Sequence, residues 1–170
     1  ASPIARAPRA VAKLAKAAIT RVPHGGQHAE DPATGIASGG GGPFLRNTLA
    51  EAYLGLARQR KDADLYAVAL EQLEAEIVVR PGSYQTMNNY AGVLHEVGRP
   101  AEAVRALRRA VELNPDLAAT RFNLGLLLEG QGDLAEAARQ YETATRLDAR
   151  WEKPRERLAA LRARTASPTP

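Results

Sequence analysis

The chain has 170 residues, a formal net charge of +4 and no cysteine. This length suits one domain with an extension. The missing cysteines exclude disulfides and cysteine-ligated zinc or haem sites, and no apolar run approaches the ~20 residues of a membrane-spanning helix. The sequence opens on Ala1, which fits a removed initiator methionine, a cleaved signal peptide or a start within a longer protein. The Ala-, Arg-, Leu- and Gly-rich composition is typical of a GC-rich bacterial genome, and it leaves cytoplasm and periplasm both open as compartments.

The net positive charge of the chain is confined to the first 22 residues. They carry five basic and no acidic side chains, whereas residues 49–170 carry 17 of each sign. A nucleic-acid-binding surface needs a basic groove with aromatic side chains for base stacking. The neutral remainder offers neither, so we predict no nucleic-acid partner.

Residues 1–22 form what we call the arm, and residues 8–22 within it have the pattern of an amphipathic helix. Pro8 fits its first turn and Pro23 ends it. Its apolar residues follow helical spacing, and basic residues occupy the opposite side. The predicted docking residues are Arg9, Lys13, Leu14, Lys16, Ala18 and Ile19. Such a helix is marginal alone in water. Four interpretations stay open: an anionic membrane surface, a partner protein, the chain's own folded domain, and a targeting segment.

Residues 23–43 have the composition of a linker, with glycine at each position from 39 to 42. His24, His28, Glu30 and Asp31 lie within it. Metal binding needs ligands in a fixed geometry, and this Gly-rich stretch supplies no scaffold. We therefore predict no metal site and no cofactor.

From Ala50 onward, small and apolar residues recur at a fixed spacing. Two copies match position by position at 34 residues: Asn89, Ala91, Leu94, Gly98, Ala103, Leu107 and Ala110 recur as Asn123, Gly125, Leu128, Gly132, Ala137, Tyr141 and Ala144. Each copy predicts a helix, a tight turn at the glycine and a second helix, with alanines where the two helices touch. In the second copy the helices run over 118–130 and to about residue 147. Asp133 caps the second of these helices, and Glu136 completes a capping box.

The 34-residue period with small residues at helix contacts resembles the tetratricopeptide repeat. This resemblance implies an all-α solenoid of three helix-turn-helix repeats and a capping helix. The repeats span 50–83, 84–117 and 118–151, the cap spans 152–164 within a domain of 44–164, and residues 165–170 form a tail. The first repeat is degenerate, because Arg60 stands where an apolar residue is expected and Glu76 replaces the alanine of Ala110 and Ala144.

The resemblance also implies a binding groove lined by the first helix of each repeat. Asn89 and Asn123 occupy equivalent positions, where family members hydrogen-bond a ligand's main chain; capping or contacts between helices are the alternative. Phe122 and Leu126 are either an exposed hydrophobic anchor or core. The predicted partner-binding residues are Arg58, Asn88, Asn89, His95, Phe122, Asn123, Leu126, Glu129 and Arg157.

No catalytic motif accompanies the repeats. His95 and Glu96 begin an HExxH-like run that lacks the second histidine, and the glycine run is not followed by the lysine of a phosphate-binding loop. We therefore expect a non-catalytic scaffold that binds protein partners, such as an accessory or assembly subunit of a larger complex, membrane-associated complexes included. A free peptide-binding adaptor and a repeat domain of a larger enzyme are the alternatives.

Overall fold

The computed structural model describes residues 45–166, and within that range it contains seven α-helices and no strand. The helices are α1 (Leu45–Arg60), α2 (Ala63–Val79), α3 (Tyr84–Glu96), α4 (Pro100–Leu113), α5 (Ala118–Gly130), α6 (Leu134–Leu147) and α7 (Glu152–Ala166). The all-α prediction is confirmed. The predicted arm and linker lie outside the described residues. The chain divides into two compact units, Ala1–Pro81 and Gly82–Pro170, and each is described by itself.

In the second unit, helices pack as successive hairpins. The α3 helix pairs with α4 and α5 with α6, while α4 also packs on α5 and α6 on α7. Four alanines of α4 and α6 are fully buried, as their spacing predicts: Ala103, Ala110, Ala137 and Ala144. A methyl group at these positions lets the helix axes approach closely.

Gly125 marks a close approach between α5 and α6 in the second unit. A Cβ atom built on Gly125 would lie 2.6 Å from Cε1 and 2.8 Å from Cδ1 of Tyr141. The Tyr141 ring is fully buried. Phe122 packs against this ring at a centroid distance of 5.6 Å, and Trp151 meets Phe122 edge-on at 4.8 Å. The glycine therefore makes room for an aromatic cluster that joins α5, α6 and the turn before α7.

The tight turns of the second unit depend on glycines with positive φ. Gly98 and Gly132 have φ values of 76° and 86°, a region open to glycine at little cost. The backbone N–H of the residue after each glycine donates to a carbonyl five residues earlier: Arg99 to Leu94 at 2.8 Å and Asp133 to Leu128 at 3.0 Å. These bonds close the preceding helix in the Schellman manner.

The predicted capping box at Asp133 forms only in part. The Asp133 carboxylate accepts from the Glu136 backbone N–H at 3.1 Å, as expected. The Asp133 N–H is already bonded to Leu128, so the Glu136 side chain has no donor there. Its carboxylate instead accepts from Arg139 Nε at 2.8 Å and Gln140 Nε2 at 2.6 Å.

The first unit departs from the 34-residue register at its turn. Lys61, with φ 52°, takes the left-handed position three residues before the equivalent of Gly98. The Asp62 N–H donates to the Ala57 carbonyl, and the Asp62 carboxylate caps α2 through the Asp64 N–H at 3.0 Å. Arg60 is therefore an exposed residue that ends α1, which corrects its interpretation as a charged substitute inside the helix.

Beyond the turn, α2 returns to the predicted register. Ala69 and Leu73 are fully buried, like their equivalents Ala103 and Leu107. Glu76, in place of Ala110, is 3% exposed and pairs with Arg80 one turn later. Burial of a charged group is costly unless it is paired. The ion pair with Arg80 therefore explains how the Glu76 carboxylate can be buried in this helix.

The capping helix α7 is held by apolar contacts and by one shared carboxylate. Leu158 and Leu161 are buried. Glu129 of α5, whose side chain is 11% exposed, accepts from Arg164 at 2.5 Å and lies 4.0 Å from Arg157. Tyr141 of α6 donates its hydroxyl to the same carboxylate at 2.8 Å. Burial, and next the bond to Glu129, raises the pKa of Tyr141, so the phenol stays a donor throughout the physiological range.

We predict that Gly125→Ala destabilises the protein because the added methyl group overlaps the buried Tyr141 ring. Overpacking of this kind costs about 1–3 kcal/mol. Gly92→Ala is the matched control: it lies in α3, and nothing lies within 4 Å of its added Cβ. The free energy of unfolding of the control should rise by up to about 1 kcal/mol, because alanine has a higher helix propensity than glycine. Urea unfolding followed by circular dichroism measures both. Equal stability of the two variants would contradict the packing of Gly125 against Tyr141.

We also predict that Glu129→Gln loosens α7. The neutral amide keeps the shape but weakens the bonds to Arg157 and Arg164, which costs about 1–2 kcal/mol after allowance for the exposed arginines. Glu142→Gln is the control, because Glu142 also pairs with α7, through Arg162, but is 45% exposed. It should cost less than about 0.5 kcal/mol. Fluorescence of Trp151, the single tryptophan, reports unfolding at the start of α7. Similar losses in both variants would argue against Glu129 as the anchor of the cap.

Candidate functional site

Polar side chains join α3 and α5, the first helices of the two repeats in the second unit, and the capping helix α7. Asn88 Nδ2 of α3 donates to Thr120 Oγ1 of α5 at 2.9 Å and to the Tyr84 carbonyl at 3.2 Å. Glu129 makes the corresponding link from α5 to α7. These two links set α3, α5 and α7 side by side, as a binding face built from first helices requires.

We call Asn89 of α3 and Asn123 and Leu126 of α5 the amide face, because Asn89 and Asn123 hold equivalent positions of successive repeats. Asn123 is exposed, and Asn89 and Leu126 are half-buried. Asn123 and Leu126 are three residues apart on α5, which places them on the same side of the helix. An amide offers a donor and an acceptor to a peptide unit, and Leu126 adds an apolar contact. The amide face therefore has the chemistry to hold an extended main chain.

Other predicted partner-binding residues are engaged within the molecule. Phe122 is buried in the aromatic cluster, so packing rather than an exposed anchor describes it. Asn88 links α3 to α5, a role that the sequence suggested for Asn89 and Asn123 but not for Asn88. Glu129 fixes α7. These three side chains contribute to the shape of the amide face rather than to its outer surface.

The remaining predicted residues lie at its margins or elsewhere. Arg157 of α7 is about half exposed beside Glu129. His95 is exposed in the last turn of α3. Arg58 is exposed on α1, in the first unit. Asn89 therefore lies on α3, Asn123 and Leu126 lie on α5, and Arg157 lies on the capping helix α7.

Sequence reasoning missed the threonines that support this face. Thr86 and Thr120 are both buried and are 34 residues apart, so the repeat spacing itself carries the signal. Thr120 receives the Asn88 amide. Thr86 donates its hydroxyl to Ser83 Oγ at 2.8 Å, and Ser83 caps α3. Both threonines place a hydroxyl in the first turn of a first helix.

Among residues 45–166, no group of three or more His, Asp or Glu side chains is arranged to hold a metal ion. None of the described helices has the length and apolar character needed to cross a membrane. The chemistry available at the amide face is hydrogen bonding and apolar contact.

Comparison with known proteins agrees with this architecture. The tetratricopeptide repeat family matches residues 82–150. The chain is 33% identical over 103 residues to the photosystem I assembly protein Ycf3 of Synechococcus sp. (strain CC9605), a match that covers 56% of this chain and 58% of the relative. It is 35% identical over 91 residues to DnaJ homolog subfamily C member 3 of Rattus norvegicus, covering 54% of this chain and 18% of the relative. The matches therefore span less than two thirds of either relative's length.

Solved structures share the fold. A thermophilic tetratricopeptide repeat protein of Thermus thermophilus, TTC0263, superposes with a TM-score of 0.66 at 23% identity, covering 89% of this chain and 71% of that one. The first repeat domain of Spaghetti (RPAP3), bound to the HSP90 peptide SRMEEVD, gives a TM-score of 0.62 at 20% identity, covering 72% and 94%. The 34-residue spacing, the hairpins with buried alanines and these likenesses agree, and the chain carries tetratricopeptide repeats over residues 82–150.

Proposed function

We propose that this chain holds an extended segment of a protein partner on its amide face and acts as an accessory or assembly factor for a larger complex. The observation that carries the proposal is the placement of Asn89 and Asn123 at equivalent positions of adjacent first helices. Peptide groups repeat along an extended chain, and successive helices that present successive amides can match that repetition. The tetratricopeptide repeat fold supports a role in protein–protein interaction.

The assembly role draws support from one relative, the photosystem I assembly protein Ycf3. The peptide-binding mode draws support from the Spaghetti repeat domain, which was solved with a peptide bound. A free peptide-binding adaptor is the second candidate, and the same face would serve it. The two differ in the partner, since an assembly factor binds a subunit of a stable complex and an adaptor binds short segments of several proteins.

Site-specific photo-crosslinking in the source cells tests the proposal. A photoreactive amino acid at Asn123 should capture a discrete partner. The same group at Arg109, an exposed residue of α4, is the control and should not capture it. Mass spectrometry of the crosslinked peptide identifies the segment. A single subunit of a complex supports the assembly role, and many unrelated segments support the adaptor. Equal capture from both positions would contradict the amide face as the binding surface.

For the partner so identified, we predict that Asn89→Ala with Asn123→Ala weakens binding. Loss of two hydrogen bonds to peptide groups costs about 1–3 kcal/mol in total, or roughly 5- to 150-fold in Kd. Calorimetry measures the affinity, and circular dichroism establishes that helicity is unchanged. The matched control removes an exposed ion pair of α4 through Arg109→Ala with Glu112→Ala. If the asparagine variant bound the partner with wild-type affinity, these two amides would not take part in binding.

A further inference from the structure

Gly92 is a helix glycine that no contact within the described chain explains. It lies in the interior of α3, where glycine is less favourable than alanine because it loses more conformational freedom on folding. Gly98 and Gly132 are needed for positive φ, and Gly125 makes room for the Tyr141 ring. Gly92 has neither reason. Its φ is not positive, and apart from its own helix backbone and its sequence neighbours, residues 45–166 place no atom within 4 Å of a Cβ built on it.

This glycine lies at the centre of the open side of α3. Gln85 and Glu96, seven residues before Gly92 and four residues after it, are exposed, and Asn89, three residues before it, is half-buried. These intervals place all three residues on the same side of the helix as Gly92. Leu94, on the opposite side, is buried. The open side of α3 is therefore a row of polar side chains that is interrupted at Gly92.

The equivalent position of the next repeat carries a leucine. Leu126 of α5 follows Gly92 by 34 residues, as Asn123 follows Asn89, and Leu126 is half-buried. The open side of α3 thus lacks a side chain of leucine size where α5 has one, and we call this gap the notch. Backbone N–H and C=O groups in the interior of a helix are bonded to each other. The floor of the notch therefore offers van der Waals contact and no hydrogen bond.

We infer that the notch receives a large apolar side chain of the bound segment, and that Gly92 selects the partner through the size of that side chain. The inference rests on the proposed function, because the segment is the one held on the amide face. Asn89 bonds the main chain of the segment, and Gly92, on the same side of α3, admits a leucine, isoleucine, methionine or phenylalanine beside it. Gly92 then lowers the stability of the fold in exchange for space that the partner fills, a known cost of function.

A random peptide library displayed on phage supplies the probe. Peptides of about 12 residues reach about 40 Å when extended, which is enough to cross neighbouring helices. Selection on the 170-residue chain should enrich peptides that carry a large apolar residue at one fixed position. The same selection on Gly92→Leu, in which the notch is filled by the side chain found at Leu126, should enrich small residues at that position.

Opposite effects on stability and binding distinguish this role of Gly92 from a structural one. Gly92→Ala should raise the urea midpoint of unfolding, because alanine is the better helix former. It should nevertheless raise the Kd of a synthetic enriched peptide about tenfold, because one methyl group in a filled apolar site changes affinity by roughly 10- to 200-fold. Calorimetry measures this Kd, and circular dichroism measures the midpoint.

Gly55→Ala is the matched control for these two measurements. Gly55 also lies inside a helix, α1 of the first unit, and nothing lies within 4 Å of its added Cβ. The control should raise the urea midpoint and leave the Kd unchanged. Weaker binding by both alanine variants to the same extent, or a lowered midpoint in Gly92→Ala, would assign the effect to the helices themselves and overturn the inference.

The peptide provides the second half of the test. Replacement of its large apolar residue by alanine should weaken binding to the wild-type chain at least about tenfold. The same replacement should matter much less for Gly92→Leu, because the two changes act at one place and are therefore not additive. Equal losses of affinity in the wild-type chain and in Gly92→Leu would show that this side chain does not enter the notch.

Failure of the inference and failure of the proposed function give different results. If enriched peptides lose affinity for Asn89→Ala with Asn123→Ala but share no large apolar position, and bind Gly92→Ala as tightly as the wild-type chain, the amide face stands and the notch is not used. If they bind the asparagine variant with wild-type affinity, the amide face is wrong and the notch inference is lost with it. A selection that enriches no peptide also overturns the inference.

Discussion

The close approach of paired helices is the constraint on which the second unit depends. An alanine or glycine at each crossing lets the backbones come together, and the glycine at 125 leaves only enough space for the Tyr141 ring. Once that ring is in place, its hydroxyl reaches Glu129, and Glu129 in turn holds Arg164 of the last helix. The absence of a side chain at Gly125 of α5 therefore helps to position the capping helix α7. The spacing of small residues is informative because few other residues satisfy this geometry.

The residues of α3 and α5 discussed above divide into two groups with different roles. Asn88, Thr120 and Glu129 bond to neighbouring helices and set the spacing of α3, α5 and α7. Asn89, Asn123 and Leu126 lie on the surface so arranged. The Asn88 amide nitrogen and the Glu129 carboxylate make their hydrogen bonds within the protein, whereas Asn88 Oδ1 is buried without a hydrogen-bond partner. The proposed recognition by peptide hydrogen bonds therefore depends on a framework that is linked by internal bonds but leaves one buried acceptor unpaired, which is costly.

The first unit shows how the same repeat length accommodates a different helix pair. Its turn falls three residues earlier, with Lys61 at positive φ in place of a glycine, and α2 is three residues longer than α4. The buried positions of α2 nevertheless keep the repeat register. What differs is the exposed side, which is acidic and ends in two valines. The outer surface of a hairpin is free to vary because the helix contact does not constrain it.

The sequence by itself determined the helices, their pairing and most of their ends, because these follow from local rules: glycine at positive φ, aspartate at a cap, proline in a first turn, and alanine where helices meet. It also placed the two asparagines at equivalent positions. Only the tertiary structure decided which candidate side chains form the framework. Phe122, Asn88 and Glu129 have the periodicity of a binding face, yet their partners are Trp151, Thr120 and Arg164, at separations of 29 to 35 residues. The half-formed capping box at Asp133 and the early turn at Lys61 are local features instead, since in each the backbone N–H of an aspartate donates to a carbonyl five residues upstream. Periodicity assigns a residue to a face, but the partner on that face is set by the packing of neighbouring helices.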